Sequence, residues 1–175
     1  MTLTRLLLPA LLGGALASGW SCRDPAPTGP AAPGLLPRAD LIPPALPSGL
    51  LVCAPLPADS VTQTVGPEGG TIRVGPHALS VPAGALAAPV SITAVAPSDS
   101  ARQVRFQPEG LVFAQPATLA LSYADCELLG LTVAKRIAWT TDLLQILEYL
   151  DSVDDPSAQV VTGRLEHFST YAVAW

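Results

Sequence analysis

The sequence predicts an all-β protein, an antiparallel β-sandwich carried on an extended N-terminal segment, and three observations lead there. From Val61 onward, short runs rich in β-branched residues are cut by turn clusters, at the roughly eight-to-twelve-residue spacing of a sandwich or barrel. Val90-Ser-Ile-Thr-Ala-Val95 alternates apolar and small polar residues, as a half-buried strand does. Ten of the nineteen prolines fall between Arg23 and Pro57, where they preclude a helix or an interior strand.

Residues 1–21 read as a signal peptide. Arg5 gives a positive start, and Leu6 to Gly19 is apolar with small residues at its end, too short to span a hydrocarbon core of about 30 Å but suited to a secretory h-region. Two processing routes stay open. Ala15-Leu16-Ala17 is an A-x-A site that releases a soluble chain, whereas Gly19-Trp20-Ser21-Cys22 is a degenerate lipobox with Cys22 as the lipid-bearing residue. The polar, Pro-rich stretch after Cys22 favours the lipid anchor, because a tether needs such a spacer. Residues 22–57 form that linker, extended in the polyproline II manner, with Leu50-Leu51-Val52 as an apolar piece that packs on the domain edge.

Residues 58–175 form the domain. The chain is 49% hydrophobic and 13% charged, enough apolar surface for a core and unlike a disordered tail. From Asp59 on, twelve carboxylates face only Arg73, Arg102, Arg105, Lys135, Arg136 and Arg164. That balance, without a basic stripe, argues against a nucleic-acid partner. If Cys22 carries lipid, Cys53 and Cys126 are left as a pair in an oxidising compartment. Their bridge closes a loop of about seventy residues, worth about 3–4 kcal/mol on chain-entropy grounds. The alternative is two free thiols.

The strands follow in order: Val61–Val65, Thr71–Val74, Leu79–Val81, Val90–Val95, Gln103–Phe106, Leu111–Phe113, Ala117–Tyr123, Val133–Trp139, Ala158–Arg164 and a closing His167–Ala174. Thr140–Leu150 has two readings. Leu143, Leu144, Leu147 and Leu150 make a helical stripe behind a Thr141 or Asp142 cap. The β-rich surroundings favour instead a hairpin turning at Thr140–Asp142 and returning through Leu144–Tyr149, and the hairpin is preferred. Asp151–Pro156 reads as a solvated acidic turn.

Several segments resemble the ZU5 domain, a β-sandwich of ankyrins, netrin receptors, tight-junction scaffolds and bacterial envelope proteins. They are Val65-Gly-Pro-Glu-Gly-Gly-Thr-Ile72, Leu79-Ser-Val-Pro-Ala-Gly-Ala-Leu86, Val90–Thr93, Phe106-Gln-Pro-Glu-Gly-Leu-Val-Phe113 and Pro116–Tyr123. The resemblance covers about Val61–Tyr123, and His167-Phe-Ser-Thr-Tyr-Ala-Val173 is similar to the closing strand of bacterial relatives. It implies a module acting through protein–protein contacts, hence a non-catalytic binding or structural role at the cell envelope. It also implies an alternative, because His167-Phe168-Ser169 matches the tripeptide at which some ZU5-bearing adaptors cleave themselves. On that reading Ser169 attacks the Phe168 carbonyl with His167 moving the proton.

The residues point to no other chemistry. His77 and His167 lack partners at metal-ligand spacing, and Asp151–Asp155 lacks the glycine turn of a calcium loop. No G-x-S-x-G, H-E-x-x-H or phosphate loop occurs. Nothing implies a cofactor. A carbohydrate ligand is disfavoured, because the few aromatic residues stand at positions that look buried. Phe106 and Phe113 flank Pro108-Glu-Gly110, so a reversal there places both rings on one core.

Overall fold

The computed structural model describes residues 49–128, 130 and 132–175. The expected signal peptide, Cys22 and the expected linker as far as residue 48 lie outside the described residues.

Eleven strands occur among the described residues: β1 (Asp59–Val65), β2 (Gly70–Val74), β3 (His77–Val81), β4 (Val90–Ala96), β5 (Gln103–Gln107), β6 (Val112–Ser122), β7 (Arg136–Thr140), β8 (Ile146–Tyr149), β9 (Ser152–Asp155), β10 (Val160–His167) and β11 (Thr170–Ala174). They form two antiparallel sheets. One has the order β1-β4-β5-β11-β7-β8, the other β2-β3-β6-β10-β9. The chain is therefore all-β, and the sheets enclose one main core. Ile92 and Ala94 of β4, Leu119 and Leu121 of β6, and Val161 and Leu165 of β10 are buried in it, as the period-two alternation of half-buried strands requires.

Local chemistry sets the turns. Gly69 has φ +79°, and a Cβ there would stand 2.4 Å from the Val81 carbonyl oxygen. Only glycine meets both demands. Ala85 and Leu86, after the Pro82–Gly84 loop, are buried at the end of the sandwich. The 106–113 reversal does bring its two phenylalanines onto one core, with Phe168 between them. The Phe168 ring stacks on Phe106 at 5.1 Å and meets Phe113 edge-on at 5.0 Å, arrangements that aromatic quadrupoles favour.

Thr140–Leu150 is a hairpin. Leu144 takes a left-handed conformation (φ 59°), the Thr141 N–H donates to the Gln145 carbonyl, and the returning strand starts at Ile146. Tertiary contact overrides helix propensity here: Leu144, Ile146 and Tyr149 pack against Leu50, Ala138, Ala172 and Ala174 on the outer face of the six-stranded sheet.

Four expectations need correction. Leu111–Phe113 and Ala117–Tyr123 belong to one strand, β6, which bulges around Pro116, where the register against β10 shifts between Leu165 and His167. A bulge tolerates a residue without an N–H. Val133–Lys135 is not strand; the Lys135 N–H is taken by the Asp154 carboxylate instead. His167–Ala174 is not one strand, because His167 ends β10 and Thr170 opens β11 in the other sheet. The acidic turn at Asp151–Pro156 contains an edge strand, β9. Asp154 accepts from the Tyr123 hydroxyl (2.6 Å) and the Lys135 N–H, while Val153 points out at 74% exposure. Its alternation is inverted, with polar residues inward, one of the ways an edge strand resists pairing with another chain.

The folded unit reaches back before Ala58. Leu50 bridges to Ala174, Val52 to Ala101 and Cys53 to Cys126, and Leu51 and Cys53 are buried in the main core. The Cys53 and Cys126 sulfurs lie 2.00 Å apart, at bonding distance. Beside them buried Arg102 donates to the Ala54 carbonyl and lies 3.8 Å from Asp125. His77 is buried near this end and its Nδ1 accepts from the Ser122 N–H. Burial, helped by the Arg102 charge, holds its pKa down to about 4.

Two predictions follow from this end of the molecule. The unfolded chain protonates His77 at its ordinary pKa of 6.5 and the folded chain only near 4, so the unfolded state binds more protons in between. Stability falls as pH drops from 6.5 to 4, by on the order of 3 kcal/mol from this group. Urea titrations should show that His77→Asn, which keeps an acceptor for Ser122, removes that part of the acid slope while other carboxylate contributions persist. Reducing the Cys53–Cys126 bridge, which closes a loop of 73 residues, should lower unfolding free energy by about 4 kcal/mol at neutral pH, read from the same titrations with and without reductant.

Candidate functional site

The site grows from the corner where the chain leaves β10 for β11 and so passes from one sheet to the other. Three backbone hydrogen bonds hold the corner against the 106–111 loop. The Phe168 N–H donates to the Leu111 carbonyl, the Gly110 N–H to the Phe168 carbonyl (2.9 Å) and the Phe106 N–H to the Ser169 carbonyl. Phe168 is 1% exposed, so the ring that locks the core also fixes this peptide.

The flanking side chains are engaged as well. Trp139 Nε1–H donates to Ser169 Oγ at 2.8 Å. The Tyr171 hydroxyl donates to the His167 carbonyl at 2.7 Å and lies 3.3 Å from His167 Nδ1. The His167 and Trp139 rings meet edge to face, 4.7 Å between centroids. Burial and the nearby Glu148 carboxylate raise the Tyr171 phenol pKa, which keeps the hydroxyl protonated as a donor. A tyrosine bonded to main chain a few residues upstream is a device that fixes corners in sandwich folds.

Chemically, the corner brings Ser169 beside a Phe168 carbonyl that accepts a backbone N–H, the kind of donor an oxyanion uses. The imidazole faces elsewhere. Among the described residues His167 bonds to Tyr171, and no hydrogen bond joins it to Ser169.

Outside the corner opens a cleft of about 380 Å³. Trp139, His167 and Tyr171 give it an aromatic side, and Glu148, Asp151, Arg164 and Glu166 give it charge. Glu148 stands opposite Trp139 in the β7–β8 register. β9 pairs with β10 only over Val160–Gly163, so among the described residues the rest of β10, from Arg164 to His167, lacks a strand on that side. At Gly163 the sheets approach closely, since a Cβ there would stand 3.0 Å from Ile137 Cδ1.

Sequence reasoning singled out His167, Phe168 and Ser169, which the structure gathers with Trp139 and Tyr171. It missed Glu148, Asp151, Arg164 and Glu166. Alternation along β10 is a signal that Arg164 and Glu166 face outward, but nothing local marks where β9 stops. Cys53 and Cys126 meet each other and not this corner, and Cys22 lies outside the described residues. Among the described residues no group of three His, Cys, Asp or Glu side chains is placed to hold a metal ion.

No protein-family model and no curated protein matches this chain.

Tyr171→Phe removes the bond to the half-buried His167 carbonyl. It should cost about 1–2 kcal/mol with the far-ultraviolet spectrum unchanged, measured by urea unfolding. A loss below a few tenths would mean that the hydroxyl does not secure the corner.

Proposed function

We propose that this chain is a ZU5-like, non-catalytic protein-binding or structural module of the bacterial cell envelope, exported and tethered by a lipid on Cys22 through the Pro-rich linker. One observation carries the reading. The end of the linker is built into the sandwich: Leu50 pairs with Ala174 beside the central strand, the Leu51 N–H donates to the Val173 carbonyl, and Cys53 lies at bonding distance from Cys126. A pull arriving along a tether would be borne by sheet hydrogen bonds and a covalent bridge rather than by a frayed end. The resemblance segments support the same reading through their roles, since Leu79, Val81, Leu86, Phe106 and Phe113 are core residues. The short outer strands β8 and β9 leave edges at which a partner can add.

A second reading, self-cleavage at Phe168–Ser169, draws on the Gly110 N–H at the Phe168 carbonyl. It would require His167 to leave Tyr171 and reach Ser169.

Metabolic labelling with a fatty-acid analogue tests the anchor. Label is expected on the wild type and absent from Cys22→Ser; an unlabelled wild type points instead to release after Ala17. Capture of a partner from membrane extracts by the tagged chain tests the binding role, which fails if repeated captures yield none. Mass analysis of the mature chain is expected to show it intact. A fragment ending at Phe168, lost in Ser169→Ala, would replace the first reading with the second.

A further inference from the structure

The cleft beside the β10–β11 corner has three features that converge on one kind of ligand. It borders a strand edge: among the described residues β9 covers β10 only as far as Gly163, the following Arg164–His167 stretch pairs with a strand only on its β6 side, and of its main-chain groups the His167 carbonyl is already taken by the Tyr171 hydroxyl. Main-chain groups on an uncovered edge are a template for an added extended segment. Its wall is aromatic, with half-buried Trp139 and His167, while the Tyr171 ring is buried at 1% exposure. Its rim is acidic, because Glu148, Asp151 and Glu166 outnumber Arg164. Among the described residues none of these four charged groups forms an ion pair with another.

These features select among ligands. An edge alone would take any extended chain, and an aromatic wall alone any apolar or sugar face. A carboxylate rim around aromatic rings favours a cation, which gains from the ring faces and from the surrounding negative charge. Carboxylates on an uncovered strand edge also repel acidic segments and copies of this acidic chain, which carries a net charge of −5.

Resting on the binding-module reading above, we propose that this cleft is where the partner docks: an extended, basic segment of another protein adds alongside Arg164–His167 of β10 and lays a Lys or Arg side chain against Trp139, between Glu148 and Glu166. Arg164, at the same rim, then selects against a second cation at the neighbouring position and favours a short acidic or neutral residue there.

The test uses the full chain and a fluorescently labelled, alternating Thr-Lys peptide followed by anisotropy. Saturable binding that weakens with added salt is expected. Glu148→Gln/Glu166→Gln should weaken it about tenfold or more; both side chains are exposed, and unfolding curves verify that the variant folds. The same peptide with alternate backbone amides N-methylated should lose binding to the wild type, as should an alternating Thr-Glu peptide. Equal binding of the methylated and parent peptides would overturn the strand-addition geometry, and unchanged binding by the double variant would overturn the site. Displacement of the peptide by an N-acetylglucosamine oligomer binding more tightly than the peptide would make the cleft a sugar site and overturn the proposal. If the double variant still captures the envelope partner as well as the wild type does, the partner docks elsewhere. The binding-module reading then survives and this inference does not. Capture by neither sinks both.

Discussion

The structure depends on where its last strand goes. β11 lies inside the six-stranded sheet, between β5 and β7, and every residue from Thr170 to Ala174 is buried. A central strand must satisfy hydrogen bonds on both edges and burial on both faces. Its composition meets the second demand: Tyr171 and Val173 fill the main core, while Ala172 and Ala174 are small enough for Leu50, Ile146 and Tyr149 to cover the outer face. The first demand explains the segment at Gly49–Cys53. β5 pairs with β11 only from Thr170 to Ala172, so the end of the linker takes the next places, with Leu50 opposite Ala174 and the Trp175 N–H on the Gly49 carbonyl. Gly49-Leu50 and Ala174-Trp175 are thus bound to each other, and the sheet is incomplete until both are in place.

The same placement creates the corner. β10 belongs to the five-stranded sheet and β11 to the six-stranded one, with only Phe168 and Ser169 between them. A crossing that short leaves no slack. It has to be fixed by groups already present in both layers, which is why the 106–111 loop supplies three backbone bonds and Phe168 inserts between Phe106 and Phe113. The His167-Phe168-Ser169 tripeptide is accounted for by this architecture whether or not it carries chemistry. Phe168 fills the core, His167 accepts the tyrosine hydroxyl through its carbonyl, and Ser169 receives the indole N–H of Trp139.

How much of this was legible follows from where the determining contacts lie. Strands such as Val90–Ala96, with their own alternation, could be read in place. The Gly69 turn and the Ala85-Leu86 plug were readable for the same reason, since φ and size are local properties. The 106–113 reversal showed two phenylalanines converging, but not that a third, Phe168, would join them. The readings that needed correction depended on distant partners. β9 carries its apolar Val153 outward because Asp154 is claimed by Tyr123 and the Lys135 N–H, and no pattern within Asp151–Pro156 reports that. The hairpin at Thr140–Leu150 could be chosen over a helix only from its surroundings. Leu143 and Leu147, half of the helical stripe, are 80% and 53% exposed.

The cleft was the least legible feature, and for a specific reason. It is made by an absence of pairing rather than by a motif: β9 is four residues long and β10 eight. After β8 the chain must leave one sheet edge and reach the other through Leu150 and Asp151. The Leu150 N–H still donates to the Ile137 carbonyl of β7. Ser152 then ties both layers together, accepting from the Ile137 N–H and donating to the Leu150 carbonyl. The chain therefore arrives at β10 no earlier than opposite Gly163, where a Cβ would press on Ile137 and Ser152. Among the described residues β10 beyond that point has no strand on this side. A longer β9 would need a longer β8–β9 link and would fill the space between Trp139 and Glu166. The open edge and the aromatic wall are consequences of one short connection, and so they stand or fall together.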